Sequence, residues 1–126
     1  MVLIITHGDQ DGAMCAGLLG QVYPEANFYV QSVSIGNFDR EYYRNRIASK
    51  IVQTREKDLI IIADIGITPF FKDAIFEKLK KHESIRFIIF DHHIDPNIDH
   101  PRVKVYYENV NNAYVIIRRW RKAPDS

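Results

Sequence analysis

The sequence VLIITHGDQDGAM (Val2–Met14) joins a short apolar run to a histidine, two aspartates and two glycines. Its first four residues, Val2–Ile5, are apolar and mainly β-branched, which is typical of a strand buried on both faces of a sheet. From Asp11 to Val22 the apolar residues recur with the period of a helix, and small residues between them allow close packing on a sheet. The stretch therefore predicts a strand, a tight polar loop and a helix, in that order.

The same alternation of strand and helix patterns continues along the chain. Further strands are predicted at Asn27–Ile35, Asp58–Ile65, Ser84–Phe90 and Val103–Tyr107. Further helices are predicted over Phe38–Val52, from a Thr68 N-cap and Pro69 to about Lys81, and over Asn112–Lys122. We therefore predict a doubly wound α/β fold, a mostly parallel five-stranded sheet with helices on both faces.

The length and charge of the chain limit the class of protein. A chain of 126 residues is long enough for one domain with a hydrophobic core and too short for two ordinary domains. Its net charge of +1 does not favour a general polyanion binder, because such domains are usually strongly basic. The apolar runs are too short to cross a bilayer, and the first residues lack the pattern of a signal peptide. We expect a cytoplasmic protein with no membrane partner.

Two further features have ordinary explanations. The lone cysteine, Cys15, cannot form an internal disulfide and has apolar neighbours, so it is predicted to be a core residue. The basic stretch Arg118–Lys122 is expected to be a solvated last helical turn, with a phosphate-binding patch as the alternative.

Three of the predicted strands end in residues of the same chemistry. They are followed by His7, Asp9 and Asp11, by Asp64, and by Asp91, His92 and His93. Because ligands bind beyond the carboxyl ends of the strands in an open parallel sheet, we expect these clusters to meet there. Carboxylates brought together raise one another's pKa, whereas a divalent metal ion converts that repulsion into coordination. The pattern therefore predicts a metal site.

The types of side chain indicate which metal and which reaction. The set combines carboxylates with imidazoles and contains no thiolate, which favours Mn²⁺ or Mg²⁺ over structural zinc. The histidines favour Mn²⁺, because Mg²⁺ prefers oxygen ligands and water. Six or so candidate ligands are enough for two ions that share a bridging carboxylate, an arrangement that activates water and neutralises a phosphoryl transition state. Hydrolysis of a phosphate ester is the reaction class that follows.

Each residue also has a plainer interpretation. Asp9 or Asp11 could cap the first helix, and Asp64 could be a turn residue at the end of a strand. His92 or His93 could be a hydrogen-bonded loop histidine. The coincidence of three such clusters at three strand ends favours the metal site over these separate explanations.

The motifs together resemble those of a known family. The residues His7-Gly-Asp9-Gln-Asp11-Gly12, the strand-end Asp64 and the triplet Asp91-His92-His93 are similar to the first three motifs of the DHH phosphoesterases. That family includes RecJ-type exonucleases, short-oligonucleotide and cyclic-dinucleotide phosphodiesterases, phosphoadenosine phosphatases and family II pyrophosphatases. The match runs over almost the whole chain, in the right order.

The resemblance implies a role for each motif residue. His7 and Asp9 would hold one Mn²⁺ ion, Asp11 and His92 would hold a second, and Asp64 would bridge the two, with Mg²⁺ or Co²⁺ as substitute ions. Asp91 would not bind the metal itself but would support the ligand His92. His93 would face the substrate phosphate and act as a catalytic residue, either by stabilising charge or by protonating the leaving group.

The sequence departs from the family pattern after the triplet. Family members have a fourth motif with a further metal-binding aspartate, and Asp125 is the only acidic residue in the last segment here. We therefore expect residues 1–126 to form a DHH-type domain that is incomplete at its C-terminus. The expected function is a manganese-dependent phosphoesterase that acts on nucleotides or short single-stranded nucleic acid. The alternatives are an inorganic pyrophosphatase and a catalytically incomplete, metal-binding regulatory domain.

The number of aromatic residues raises the question of self-association. The candidates are Tyr42, Tyr43, Phe70, Phe71, Tyr106, Tyr107 and Trp120. If they exceed what a small sheet must bury, some would form a homodimer interface. The alternative is that they are core residues.

Overall fold

A computed structural model describes residues 1–31, 48, 49, 51, 59–67 and 69–122 of the chain. Within these residues the elements are β1 (Val2–His7), α1 (Gln10–Val22), β2 (Asn27–Gln31), β3 (Leu59–Ala63), α2 (Pro69–Lys81), β4 (Arg86–Asp91), β5 (Val103–Tyr107) and α3 (Ala113–Trp120). Most of the predicted helix over 38–52, the end of the predicted strand over 27–35, the Thr68 cap and Asp125 lie outside the described residues.

The described strands form one sheet in the order β2-β1-β3-β4-β5, and every pair in it is parallel. The predicted α/β class is confirmed. The order reverses direction between β1 and β3, which is where an open α/β sheet forms a crevice at the carboxyl ends of its strands. The fold therefore has a natural binding position between the end of β1 and the end of β3.

Helices cover both faces of the sheet, as predicted. One core contains Ile5, Ile60, Ile62, Phe87 and Ile89 of the sheet, together with Ala48, Ile51 and the α2 residues Phe71 and Ile75. The other contains Ile4, Ile61, Ile88 and Phe90, together with Leu18 and Leu19 of α1 and Ile116 and Ile117 of α3. Alternate residues of each strand enter opposite cores, because successive side chains of a strand point to opposite faces.

The central strand β3 consists of apolar residues without interruption, and the structure explains why. All five of its residues, Leu59–Ala63, are buried, since helices cover it from both sides. The predicted strand extended to Ile65, but the observed strand ends at Ala63. Asp64 follows with a φ of 64°, a left-handed conformation that aspartate tolerates better than β-branched residues do. Its backbone N–H still donates to the carbonyl of Phe90, at 3.0 Å.

Arg102 lies just before β5, at the amino ends of the strands. Its guanidinium donates to the backbone carbonyls of Leu79, His82 and Ile85, at 2.6, 2.5 and 3.1 Å. The carbonyl of Leu79 lies in the last turn of α2 and that of His82 directly follows the helix, where acceptors are left without helical partners. Arg102 therefore joins α2 to the start of β5. Asp64 and Asp91 lie at the other end of the strands, where β3 and β4 finish.

The aromatic residues considered for self-association divide into two groups. Phe71 and Trp120 are buried in the two cores, with 0% and 7% of their surface exposed. Tyr106 and Tyr107 are half-buried, while Tyr42, Tyr43 and the side chain of Phe70 lie outside the described residues. In the part of the chain that the structure describes, no helix combines the length and the apolar character needed to span a bilayer.

Candidate metal centre

His7 and Asp9 meet where β1 turns into α1. Asp9 is the N-cap of α1, and its Oδ1 accepts a hydrogen bond from the backbone N–H of Gly12 at 2.7 Å. Its other oxygen, Oδ2, lies 3.3 Å from Nδ1 of His7. Burial opposes ionisation of Asp9, but the hydrogen bonds from Gly12 and His7 outweigh it and lower the pKa of the carboxyl. Asp9 can therefore cap α1 through Oδ1 while Oδ2 is left to face a metal ion.

Asp11 stands in the first turn of α1 but caps another helix. Its Oδ2 accepts from the backbone N–H of Ala113 at 3.2 Å, and its Oδ1 accepts from that of Tyr114 at 3.3 Å. These are first-turn donors of α3, which have no partner within their own helix. The Asp11 carboxylate therefore supplies acceptors to two backbone N–H groups at the start of α3.

Cys15 lies beneath Asp11, with its Sγ 3.8 Å from Asp11 Oδ1. It is fully buried. Burial, followed by the negative charges of Asp11 and Asp64, raises the pKa of the thiol above its usual range. The prediction that Cys15 is a core residue is confirmed.

Asp64 is the most buried carboxyl of the three that converge at the switch between β1 and β3. Only 5% of its surface is exposed. Burial raises the pKa of Asp64 to about 9, and the neighbouring carboxyls of Asp11 and Asp9 add to the effect. In the protein alone this cluster cannot hold all its negative charges, which is the electrostatic condition that a bound cation relieves.

The two ring nitrogens of His92 have different partners: Nε2 faces the carboxylates and Nδ1 faces a backbone carbonyl. Its Nε2 lies 3.1 Å from Asp64 Oδ1 and 3.7 Å from Asp11 Oδ2. Its Nδ1 lies 3.2 Å from the carbonyl oxygen of Val110. Since a carbonyl only accepts hydrogen bonds, we assign the proton to Nδ1. This is the arrangement in which Nε2 is available as a metal ligand.

Asp91 organises the triplet mainly through His93. Its side chain is fully buried, and its Oδ1 accepts from the backbone N–H groups of His92 and His93 at 2.8 and 3.1 Å. The same oxygen lies 2.6 Å from Nδ1 of His93, whose ring is tilted by 36° to that of His92 with centroids 4.1 Å apart. The expected support of His92 by Asp91 stays a prediction, and the structure shows the contact through which it would act. Asp91 reaches His92 through the backbone, and the ring is supported by the Val110 carbonyl.

The predicted residues thus fall into a connected cluster at the carboxyl edge of the sheet. Among the described residues, Asp64, His92 and His93 each offer a ligand atom, and these atoms all lie within 4.8 Å of one another. Asp11 approaches the same atoms from α1, and the pair of His7 and Asp9 adjoins Asp64. An oxygen-rich set with imidazoles fits a divalent ion such as Mn²⁺.

The backbone groups that hold these side chains could not be identified from the sequence. The carbonyl of Val110 and the N–H groups of Ala113 and Tyr114 come from the segment between β5 and the start of α3. Backbone groups carry no residue-type signature. The one usable signal was Asn112, a strong N-cap residue before an apolar helical pattern, which locates the free N–H groups of the helix.

Fold and site together define an α/β domain with a carboxylate and imidazole centre at the switch point of a parallel sheet. The family model described as "DHH family, N-terminal domain" matches residues 1–116. The chain belongs to the DHH family. Members of this family are generally metal-dependent phosphoesterases.

A solved structure supports the same fold. It is the crystal structure of an uncharacterized protein from Helicobacter pylori G27, with a TM-score of 0.68 and 19% sequence identity. The match covers 100% of this chain and 37% of that chain, so the present chain spans little more than a third of its length. No match is found among curated proteins.

Proposed function

We propose that this domain is a manganese-dependent phosphoesterase that hydrolyses phosphodiester or phosphomonoester bonds of nucleotides or short single-stranded nucleic acid. The observation that carries the proposal is the buried Asp64, which lies against Asp9, Asp11 and His92 at the switch point of the sheet. A carboxylate buried in this position is costly without a cation. Its position is explained if it holds metal ions.

His7 and Asp9 would hold one Mn²⁺ ion, and Asp11 and His92 would hold a second, with Asp64 between them. The pairs are already in contact, at 3.3 Å and 3.7 Å. When bound, two such ions would supply Lewis acidity and an activated water. Mg²⁺ or Co²⁺ would be the substitutes.

His93 would act on the substrate itself. About 41% of its side chain is exposed, whereas that of its neighbour His92 is 17% exposed. Because Nδ1 of His93 faces the buried Asp91, the remaining nitrogen, Nε2, is the one available to a phosphate oxygen. In hydrolysis a P–O bond breaks, water supplies the new oxygen, and the leaving oxygen takes up a proton. His93 would donate that proton or stabilise the charge.

The substrate class rests on the family resemblance, and two alternatives remain. The first is an inorganic pyrophosphatase, which would use the same centre with a different pocket. The second is a catalytically incomplete, metal-binding regulatory domain, since the further aspartate of a fourth motif is not identified among the described residues.

Hydrolysis assays with a substrate panel test the proposal. The protein is incubated with and without Mn²⁺ on a dinucleotide, a short single-stranded oligonucleotide, a nucleoside monophosphate and pyrophosphate. Asp64→Asn is compared with Asp99→Asn, a matched change at an exposed loop carboxylate. We expect Mn²⁺-dependent turnover that Asp64→Asn abolishes and Asp99→Asn retains. Preference for pyrophosphate would favour the first alternative, and Mn²⁺ binding without turnover of any substrate would favour the second.

We further propose a cytoplasmic protein that forms a homodimer. The apolar surface that supports association lies on the edge strand β2, where Phe28 and Val30 are 46% and 49% exposed. Light scattering of the purified protein tests this, and a strict monomer at micromolar concentration contradicts it.

A further inference from the structure

The segment between β5 and α3 contacts the candidate centre at two points, through backbone groups alone. The carbonyl of Val110 lies 3.2 Å from Nδ1 of His92. The N–H groups of Ala113 and Tyr114 donate to the two oxygens of Asp11, at 3.2 and 3.3 Å. His92 and Asp11 are the two residues proposed to hold the same ion.

Each contact fixes a property that a metal ligand needs. The Val110 carbonyl fixes the proton on Nδ1 of His92 and so leaves Nε2 toward the carboxylates. The two N–H groups of α3 hold one oxygen each and so fix the plane of the Asp11 carboxylate. A ligand held in this way loses little rotational freedom when the ion binds.

One side chain in the segment determines whether these groups are correctly placed. Asn112 is the N-cap of α3, with an extended backbone, and its Oδ1 accepts from the N–H of Val115 at 3.2 Å. This bond fixes the first turn of α3, so that the N–H groups of Ala113 and Tyr114 remain directed at Asp11. Among the described residues, the side chain of Asn112 hydrogen-bonds to Val115 and to none of the candidate ligands.

We infer that Asn112 is a positioning residue, which acts through the backbone of residues 110–114 to hold Asp11 and His92 in the orientation for one metal ion. The inference deepens the proposed function and rests on it for the identity of the ion. The placement of the two side chains, however, is a property of the protein before metal binds.

The test compares Asn112→Ala with Asn112→Ser, which restores a good N-cap, and with Arg102→Lys as a control. Arg102→Lys weakens the joint between α2 and β5 at the other end of the sheet. Two measurements are made on each variant. The first is the Kd for Mn²⁺ by isothermal titration, and the second is the ring Nδ1–H resonance of His92 in the metal-free protein by ¹⁵N NMR.

We expect Asn112→Ala to weaken Mn²⁺ binding by about tenfold, the low end of the effect of removing a group behind a metal ligand. We expect the Nδ1–H resonance of His92 to be observable in the parent protein and to broaden or disappear in Asn112→Ala. Asn112→Ser and Arg102→Lys should retain both the Kd and the resonance.

Two results would overturn the inference. One is an Asn112→Ala variant that folds, binds Mn²⁺ as the parent does and keeps the resonance. The other is an equal loss of Mn²⁺ affinity in Arg102→Lys, which would attribute the effect to stability. If the parent protein takes up no Mn²⁺, the proposed function fails. The positioning is then decided by the metal-free resonance, which should still separate Asn112→Ala from Asn112→Ser.

Discussion

Nδ1 of His93 lies 2.6 Å from Oδ1 of Asp91, a carboxylate that is itself completely buried. The same oxygen accepts the backbone N–H groups of His92 and His93. The buried carboxylate therefore sets both the loop conformation and the direction of the exposed His93 ring.

Replacing Asp91 by asparagine keeps the shape of the side chain and removes its charge. We expect kcat to fall by about 10- to 100-fold, because the ring of His93 loses a charged partner that orients it. The Kd for Mn²⁺ should change less than kcat, since Asp91 contacts no proposed ligand atom directly. Asp95→Asn, at an exposed loop carboxylate, is the control. A parent-like kcat in folded Asp91→Asn would remove Asp91 from the proposed machinery.

Substitutions of the neighbouring residues His92 and His93 should impair different properties of the protein. His92→Gln is expected to weaken Mn²⁺ binding strongly, because it removes the imidazole nitrogen that faces Asp64 and Asp11. His93→Gln is expected to keep the Mn²⁺ affinity within a few-fold and to lower kcat. Titration of Mn²⁺ by calorimetry, paired with steady-state kinetics, distinguishes them. If His93→Gln loses Mn²⁺ as His92→Gln does, His93 is a ligand, which the proximity of its ring to the same cluster would explain.

The raised pKa of Asp64 predicts how the stability of the metal-free protein depends on pH. An aspartate in the unfolded chain loses its proton near pH 4, whereas Asp64 in the folded protein keeps it up to about 9. Between these values the folded state binds more protons, so the contribution of Asp64 to stability is present at low pH and decreases as pH rises. Mn²⁺ competes with that proton, so its binding should release protons and strengthen with pH.

Thermal unfolding measured from pH 5 to pH 8, in chelator and in excess Mn²⁺, checks this prediction. The metal-free Tm should fall with pH more steeply in the parent than in Asp64→Asn, which has no proton to lose. The gap between the curves with and without Mn²⁺ should widen as pH rises. Identical pH slopes for parent and Asp64→Asn would contradict it.

Two glycines of α1 should respond oppositely to the same substitution. A Cβ at Gly12 would lie 1.8 Å from the backbone oxygen of His7, so Gly12→Ala must displace the strand end that carries the site. A Cβ at Gly17 meets nothing within 4 Å. We expect Gly12→Ala to abolish folding or Mn²⁺ binding, and Gly17→Ala to raise the free energy of unfolding by about 0.5–1 kcal/mol. Urea denaturation of both variants measures this, and a stable Gly12→Ala that binds Mn²⁺ would contradict it.

The elements with local signals were predictable from sequence. Pro69 begins α2, and the bounds predicted for β5, Val103–Tyr107, are the observed ones. The end of β3 was not predictable in the same way, because Ile65 and Ile67 continue the apolar pattern. They are buried after the strand has ended, so burial and not extended structure explains their hydrophobicity.

The candidate site was predictable to the level of residue type. Carboxylates and histidines at three strand ends meet, because parallel strands bring those ends to one edge. Which atom faces which partner was not predictable. The partner of the His92 ring is a backbone carbonyl of Val110, and that of Asp11 is the start of a distant helix, both set by tertiary packing alone.

Asp11 and Tyr114 are 103 positions apart, yet they are joined by a hydrogen bond. Because closing so long a loop costs entropy, we expect this contact to form after the intervening strands have paired. On that expectation, tight Mn²⁺ binding during refolding should develop together with the native topology and not before it. Uptake of the ion then serves as a kinetic marker for completion of the native topology.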